Sequence, residues 1–196
     1  MHPKIHTRLY AVAMAALLVA SPIAARAQEA FTPPPTGPDG ARDFDFLIGS
    51  WKVHLRRRLD PLTGSNTWVD YDGTSVTRHV LDSNANLEAF DVDSPASHLH
   101  IHAETLRLYD IKTHQWSIYL LDVTKGTLGL PATVGGFADG RGAFFDQEQW
   151  RGCWIYVRYT WAHRYPGEAH MEQSFSTDGG KTWEVNWVCE LTRVGV

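Results

Sequence analysis

The sequence predicts an all-β fold: an up-and-down antiparallel β-barrel of about ten strands, preceded by a short N-terminal helical turn. In segment after segment, apolar residues alternate with polar ones at period two, and turn residues separate those segments at short intervals. No stretch of helical period is long enough to supply the crossover that a parallel sheet needs. Eight Trp, seven Tyr and eight Phe suit half-buried pleated faces. Strands joined only by hairpins would leave exposed edges in an open sheet, and closure into a barrel removes them.

The predicted strands run over 51–59, 67–80, 85–91, 101–110, 115–122, 132–138, 143–150, 154–163, 169–176 and 183–193. Between them lie Asp60-Pro61-Leu62-Thr63-Gly64, Asp110-Ile111-Lys112-Thr113, Asp139-Gly140, Arg151-Gly152, Pro166-Gly167 and Asp178-Gly179-Gly180, residue sets that tolerate tight or left-handed backbone. In the last strand Trp183, Val185, Trp187, Cys189 and Leu191 share one face, opposite Glu184, Asn186, Glu190 and Thr192. Over 154–163, Ile155, Val157, Tyr159 and Trp161 oppose Tyr156, Arg158 and Thr160. Each such strand therefore has one face to bury.

Residues 1–27 read as a secretory signal peptide. Lys4 and Arg8 precede an apolar run from Leu9 to Ala20, and Ala25-Arg26-Ala27 offers the small-x-small pattern of a cleavage site. The run is short of the ~20 residues of a comfortable membrane span, and no later segment could span. A secreted or periplasmic mature protein is expected, more acidic than the full chain because Lys4, Arg8 and Arg26 leave with the peptide and no carboxylate does. Residues 28–42, with Pro33-Pro34-Pro35, Gly37, Pro38 and Gly40, read as a linker. Residues 43–196 then form one domain, opening on Asp43-Phe44-Asp45-Phe46-Leu47 as the helical turn.

A formal net charge of −4 provides no basic field for a nucleic-acid backbone. Nucleophile elbow, phosphate loop, dinucleotide fingerprint and His-Glu-x-x-His are all missing from the sequence. The two cysteines, Cys153 and Cys189, allow one disulfide in an exported chain, or two buried thiols.

Gly49-Ser50-Trp51 at the head of the first strand matches the G-x-W signature of calycins, and Arg193 is placed like their closing arginine. Asp43 through Trp51, Leu106-Arg107-Leu108-Tyr109-Asp110, Trp116-Ser117-Ile118-Tyr119 and Ser176 through Trp187 extend the likeness over nearly the whole domain. In these segments the chain resembles a bacterial calycin-like family of unknown function, of the lipocalin, fatty-acid-binding-protein and nitrobindin kind. The resemblance implies a barrel closed at one end by Trp51 beneath Arg193, and it brings no catalytic residues. Nitrobindin-like barrels bind haem; the strand histidines here are His54, His79, His163 and His170, and none matches a ligand position. Ser176-x-Asp178-x-Gly180-x-Thr182-Trp183 also matches the Asp-box of sialidase propellers, but it occurs once, where a propeller would repeat it. It reads as a hairpin device.

Polar residues within apolar strands mark the candidate pocket, because burying them without partners is costly. Asn86, Glu88, Arg107, Tyr119, Asp122, Arg158, Glu172 and Asn186 form that set, subject to register. His98, His100 and His102 alternate and would share one strand face, able to chelate Zn²⁺ or Cu²⁺ or to stand solvated. The expected function is binding of a small hydrophobic molecule in the barrel. The alternatives are an isomerase, lyase or hydrolase using Glu88, Glu172 or Asp122 as base with Arg158 or Arg107 beside it, or an envelope interaction module. The sequence requires no cofactor, and a dimer is compatible with it.

Overall fold

The computed structural model describes residues 40–80 and 84–195. The predicted signal peptide, and residues 28–39 of the predicted linker, lie outside the described residues. A 3-10 turn, Asp45–Leu47, leads into β1 (Gly49–Arg58), β2 (Trp68–His79), β3 (Ala85–Ser94), β4 (Leu99–Asp110) and β5 (Gln115–Asp122). The chain continues through β6 (Thr127–Leu128), β7 (Thr133–Ala138), β8 (Arg141–Trp150), β9 (Cys153–Tyr165), β10 (Glu168–Ser176) and β11 (Glu184–Arg193). Ten of these strands pair antiparallel around a closed ring, each with its chain neighbour, and β11 returns to β1. The two-residue β6 is an addition to β5, so the ring passes from β5 directly to β7. The sequence reading lacked β6, which is too short to show a period. No helix among the described residues is long and apolar enough to cross a membrane.

The alternation seen in the sequence becomes the barrel wall. Trp51, Val53 and Leu55 of β1 are buried while Lys52, His54 and Arg56 between them are exposed. One end is plugged by the residues before β1. The ring of Phe44 meets Trp116 and Trp161 edge-on, with centroids 5.1 and 5.8 Å away, and stacks on Phe144 at 5.4 Å. Such aromatic packing excludes water from that end and stabilises by about 0.5–1.5 kcal/mol per pair beyond the area it buries.

The strand pattern breaks between β10 and β11. Gln173 pairs with Trp187 but Ser174 pairs with Val185, so Asn186 has no partner across the ladder. A bulge of this kind rotates the strand and sends neighbouring residues to the same side. Asn186 and Trp187, predicted on opposite faces, accordingly line one pocket.

Two other expectations are corrected. Cys153 and Cys189 are both free thiols, the first exposed and the second buried. Cys189 pairs with Met171, which pairs with Trp161, whereas Cys153 stands at the start of β9. Even at the same level, two strand spacings come to about 9.6 Å, beyond the ~7 Å Cα separation that a disulfide tolerates. His98 does not share a strand face with His100 and His102. It lies in the turn before β4 with φ of 53°, and a left-handed turn residue takes no part in the strand alternation.

Candidate functional site

Inside the barrel, beside the plug, lies a cavity of about 270 Å³ whose walls include Phe90, Ile101, Ala103, Ile118, Met171, Trp187 and Leu191. Two further hollows continue it, sharing Leu120 and Tyr159 with it. The volume and the apolar lining suit a small organic molecule.

The inner end of the cavity carries a buried ion pair. Glu88 and Arg107 face each other from adjacent strands β3 and β4 and are hydrogen-bonded, both almost fully buried. Arg107 also donates to Asn86 Oδ1 at 3.0 Å, and Ser75 Oγ donates to Glu88 at 2.6 Å. The guanidinium lies 5.1 Å from the ring centre of Phe44 and 5.2 Å from that of Trp161. Two charges out of water need this density of partners, because desolvation costs several kcal/mol per ion. Arg107 Nε nevertheless has no protein acceptor, leaving one N–H without a partner on a residue that lines the cavity.

Toward the other end the wall becomes acidic. Asp146 and Glu148 of β8 line the second hollow with Thr133 and Tyr159. Asp146 accepts a hydrogen bond from Thr133 Oγ1 at 2.8 Å, while its other oxygen is buried without a partner. Burial raises the Asp146 carboxyl above the ordinary aspartate range. Burial, and then the neighbouring Asp146, do the same to Glu148. Burial foremost, with both carboxylates adding, raises Tyr159 as well, so its phenol stays protonated. Asn186 Nδ2, on the third hollow with Glu148, is likewise buried and unpartnered, although Asn186 Oδ1 accepts from Gln173 at 2.7 Å.

Of the residues expected to form the pocket, Asn86, Glu88, Arg107 and Asn186 are buried within this interior. The other four are not brought there. Tyr119 alternates with the cavity-lining Ile118 and Leu120. Asp122 pairs with Lys125 at 2.8 Å in an exposed turn. Arg158 lays its guanidinium 4.4 Å over the ring of Trp183. Glu172 meets His170 Nε2 at 3.1 Å, and His170 turns its other nitrogen to Glu190 at 2.7 Å. Asp146 and Glu148 were missed by the sequence reading. Their signal was parity: they fall in step with Phe144 and Trp150, the apolar anchors of β8.

No histidine is among the residues lining the three hollows. His54 bonds to Asp72, His79 stands 3.9 Å from Asp45, and His163 stacks on Phe46 at 5.3 Å. A haem inside the barrel would therefore find no imidazole ligand among the residues described here.

The Asp-box segment forms a closed turn. Ser176 Oγ donates to Asp178 at 2.8 Å and accepts from Gly180 N–H at 2.9 Å. Asp178 accepts from the backbone N–H and the hydroxyl of Thr182, and Trp183 Nε1 donates to Gly180 O. The Thr182 backbone N–H, followed by the hydroxyls of Thr182 and Ser176, holds the Asp178 carboxyl well below its ordinary range.

No family model and no curated protein matches the chain. Among solved structures it is similar to the S-type phycobiliprotein lyase CPES from Guillardia theta, with a TM-score of 0.54 and 11% sequence identity over 78% of this chain and 91% of that one. At that identity the likeness is one of fold, a calycin-like closed antiparallel barrel.

Proposed function

We propose that the chain is an exported binding protein that holds a small, largely apolar molecule inside its barrel. The observation that carries this reading is the cavity beside the plug, apolar on most of its wall and bounded by Arg107 and Glu88. Apolar burial supplies the affinity, roughly 25 cal/mol per Å² of ligand surface removed from water before the costs of association. Orientation comes from the unpartnered polar atoms. Arg107 Nε and Asn186 Nδ2 offer donors and Asp146 offers an acceptor, so the ligand carries an acceptor group at its inner end. Export rests on the basic residues, apolar run and Ala25-Arg26-Ala27 of residues 1–27.

The test uses the tryptophans of the wall. Trp161 and Trp187 line the cavity, and their emission should change saturably on titration with an anilinonaphthalene dye or a medium-chain fatty acid. Ala103 lies on the same wall, and Ala103→Phe fills the space. That variant should unfold cooperatively yet lose saturable binding. Binding of equal strength in wild type and A103F, or no saturable binding by either probe or by any molecule retained in native mass spectrometry, would overturn the reading.

A further inference from the structure

We propose that the outer wall of the barrel carries a divalent-metal site, separate from the cavity, with Asp91, His100 and His102 as ligands. The β3–β4 hairpin builds it. Ser94 pairs with Leu99, so counting back along the ladder sets Asp91 directly opposite His102 and Asp93 opposite His100. His100 and His102, two apart on β4, project to one face. Asp91 reaches both: one oxygen is 2.9 Å from His100 Nε2 and the other 3.1 Å from His102 Nδ1. One ligand atom from each of the three side chains lies within 4.8 Å of the other two. A tetrahedral ion with bonds of about 2.0–2.2 Å brings such atoms together by small rotations of the rings. All three residues are exposed, so a hydrated ion has free access.

A second observation concerns the charge on the surrounding wall. One row across the four strands reads His54, Asp72, Asp93, His100, each residue opposite the next. Asp72 therefore faces Asp93 directly, and like charges in cross-strand register destabilise a sheet. Asp70 flanks the same row, 3.7 Å from His54 Nε2 and 3.6 Å from Arg56 Nε. Asp70, Asp72, Asp91 and Asp93 thus crowd one face, and a divalent cation at its edge relieves that crowding where a neutral imidazole cannot. Two imidazoles and one carboxylate, without a thiolate, form a donor set for Zn²⁺ or Cu²⁺ rather than for Ca²⁺ or Mg²⁺, with water completing the shell. His98 is not a ligand, because its turn position takes it off the strand face.

Calorimetric titration of the tag-free protein with ZnCl₂ at pH 7.5 tests the site. One ion per chain is expected, with His100→Ala and His102→Ala each weakening uptake by about 10- to 100-fold. Asp91→Asn should weaken it too, while His98→Ala leaves it unchanged. A circular-dichroism melt of each variant checks the fold, since Asp91, His100 and His102 stand at exposed strand positions and His98 in an exposed turn. CuCl₂ followed by electron paramagnetic resonance gives a second readout, in which nitrogen hyperfine structure should simplify with His100→Ala and disappear with the His100→Ala/His102→Ala double variant. No uptake of either ion by wild type at ~100 µM, or undiminished uptake by the His100→Ala/His102→Ala double variant, would overturn the assignment.

Discussion

The guanidinium of Arg193 lies 4.3 Å over the ring of Trp51, its partner across the β1–β11 ladder. The same guanidinium donates to Ile48 O at 2.7 Å and Phe46 O at 2.6 Å, and Trp51 Nε1 donates to Leu47 O at 2.7 Å. The last strand thereby pins the plug against the first. Gly49 makes the approach feasible: its φ is 124°, and a Cβ there would stand 2.6 Å from Arg193 Nη1. Trp51→Ala should cost about 3–5 kcal/mol through cavity formation, and Arg193→Ala about 1–2 through the lost cation–π contact and hydrogen bonds. Because the two residues touch, a double-mutant cycle by urea denaturation should return a coupling of roughly 0.5–2 kcal/mol. Strict additivity would sink the closure mechanism.

Glu88 and Arg107 give a prediction with the opposite pattern of costs. Removing one partner strands the other charge in the interior. Arg107→Ala should therefore destabilise by about 3–5 kcal/mol, while Glu88→Leu with Arg107→Met should recover most of that loss. If the double variant is as unstable as Arg107→Ala alone in urea melts, the pair contributes more than charge balance.

The barrel was legible because Trp51, Val53 and Leu55, or Ile155, Val157 and Tyr159, alternate without interruption, and a strand with one apolar face has one register. The site was half legible. Asn86, Glu88 and Arg107 stood out as polar residues within apolar strands, but parity did not place them, because Leu87, Leu106 and Leu108 alternate with them and the structure turns those leucines to the other face. Asp146 and Glu148 were hidden because β8 is polar on both faces there, with Gln147 between them and Gln149 after Glu148. Asn186 lies at a bulge, which no alternation rule anticipates. Asp91 could be tied to His100 and His102 only by knowing the length of the hairpin that joins β3 to β4.

The two thiols should differ sharply in reactivity. Cys153 is exposed, whereas burial, then the nearby Glu88, raises the Cys189 thiol far above its ordinary range. Only a thiolate attacks a disulfide reagent at useful rates. Titration with a chromogenic disulfide should release one equivalent promptly from the native protein and the second only after denaturation. Prompt release of two equivalents would mean that β11 opens in the native state, and release of none after denaturation would mean that the two have been bridged.

The carboxyls of β8 predict how stability depends on pH. The folded protein holds protons on Asp146 and Glu148 to higher pH than the unfolded chain does, because burial raises both groups from ordinary values of 3.8 and 4.5. A group raised on folding contributes stability that is fully present below its unfolded pKa and is lost as pH rises through its folded pKa. These two groups therefore favour the folded state near pH 4 and weaken it progressively toward neutrality, opposite to Asp178, whose lowered carboxyl contributes above its ordinary range and fails only in strong acid. Asp146→Asn keeps an oxygen for the Thr133 hydroxyl and removes the charge. It should raise the melting temperature at pH 7, leave it level or lower at pH 4, and relax Glu148, whose shift Asp146 helps to cause. Glu148→Gln in that background should then stabilise by less than it does alone, since the two carboxyls titrate as a coupled pair. Melting curves of the four proteins from pH 4 to pH 8 decide the matter: parallel pH profiles for wild type and D146N would show that the carboxyl is solvated and that the hollow at β8 is open to water.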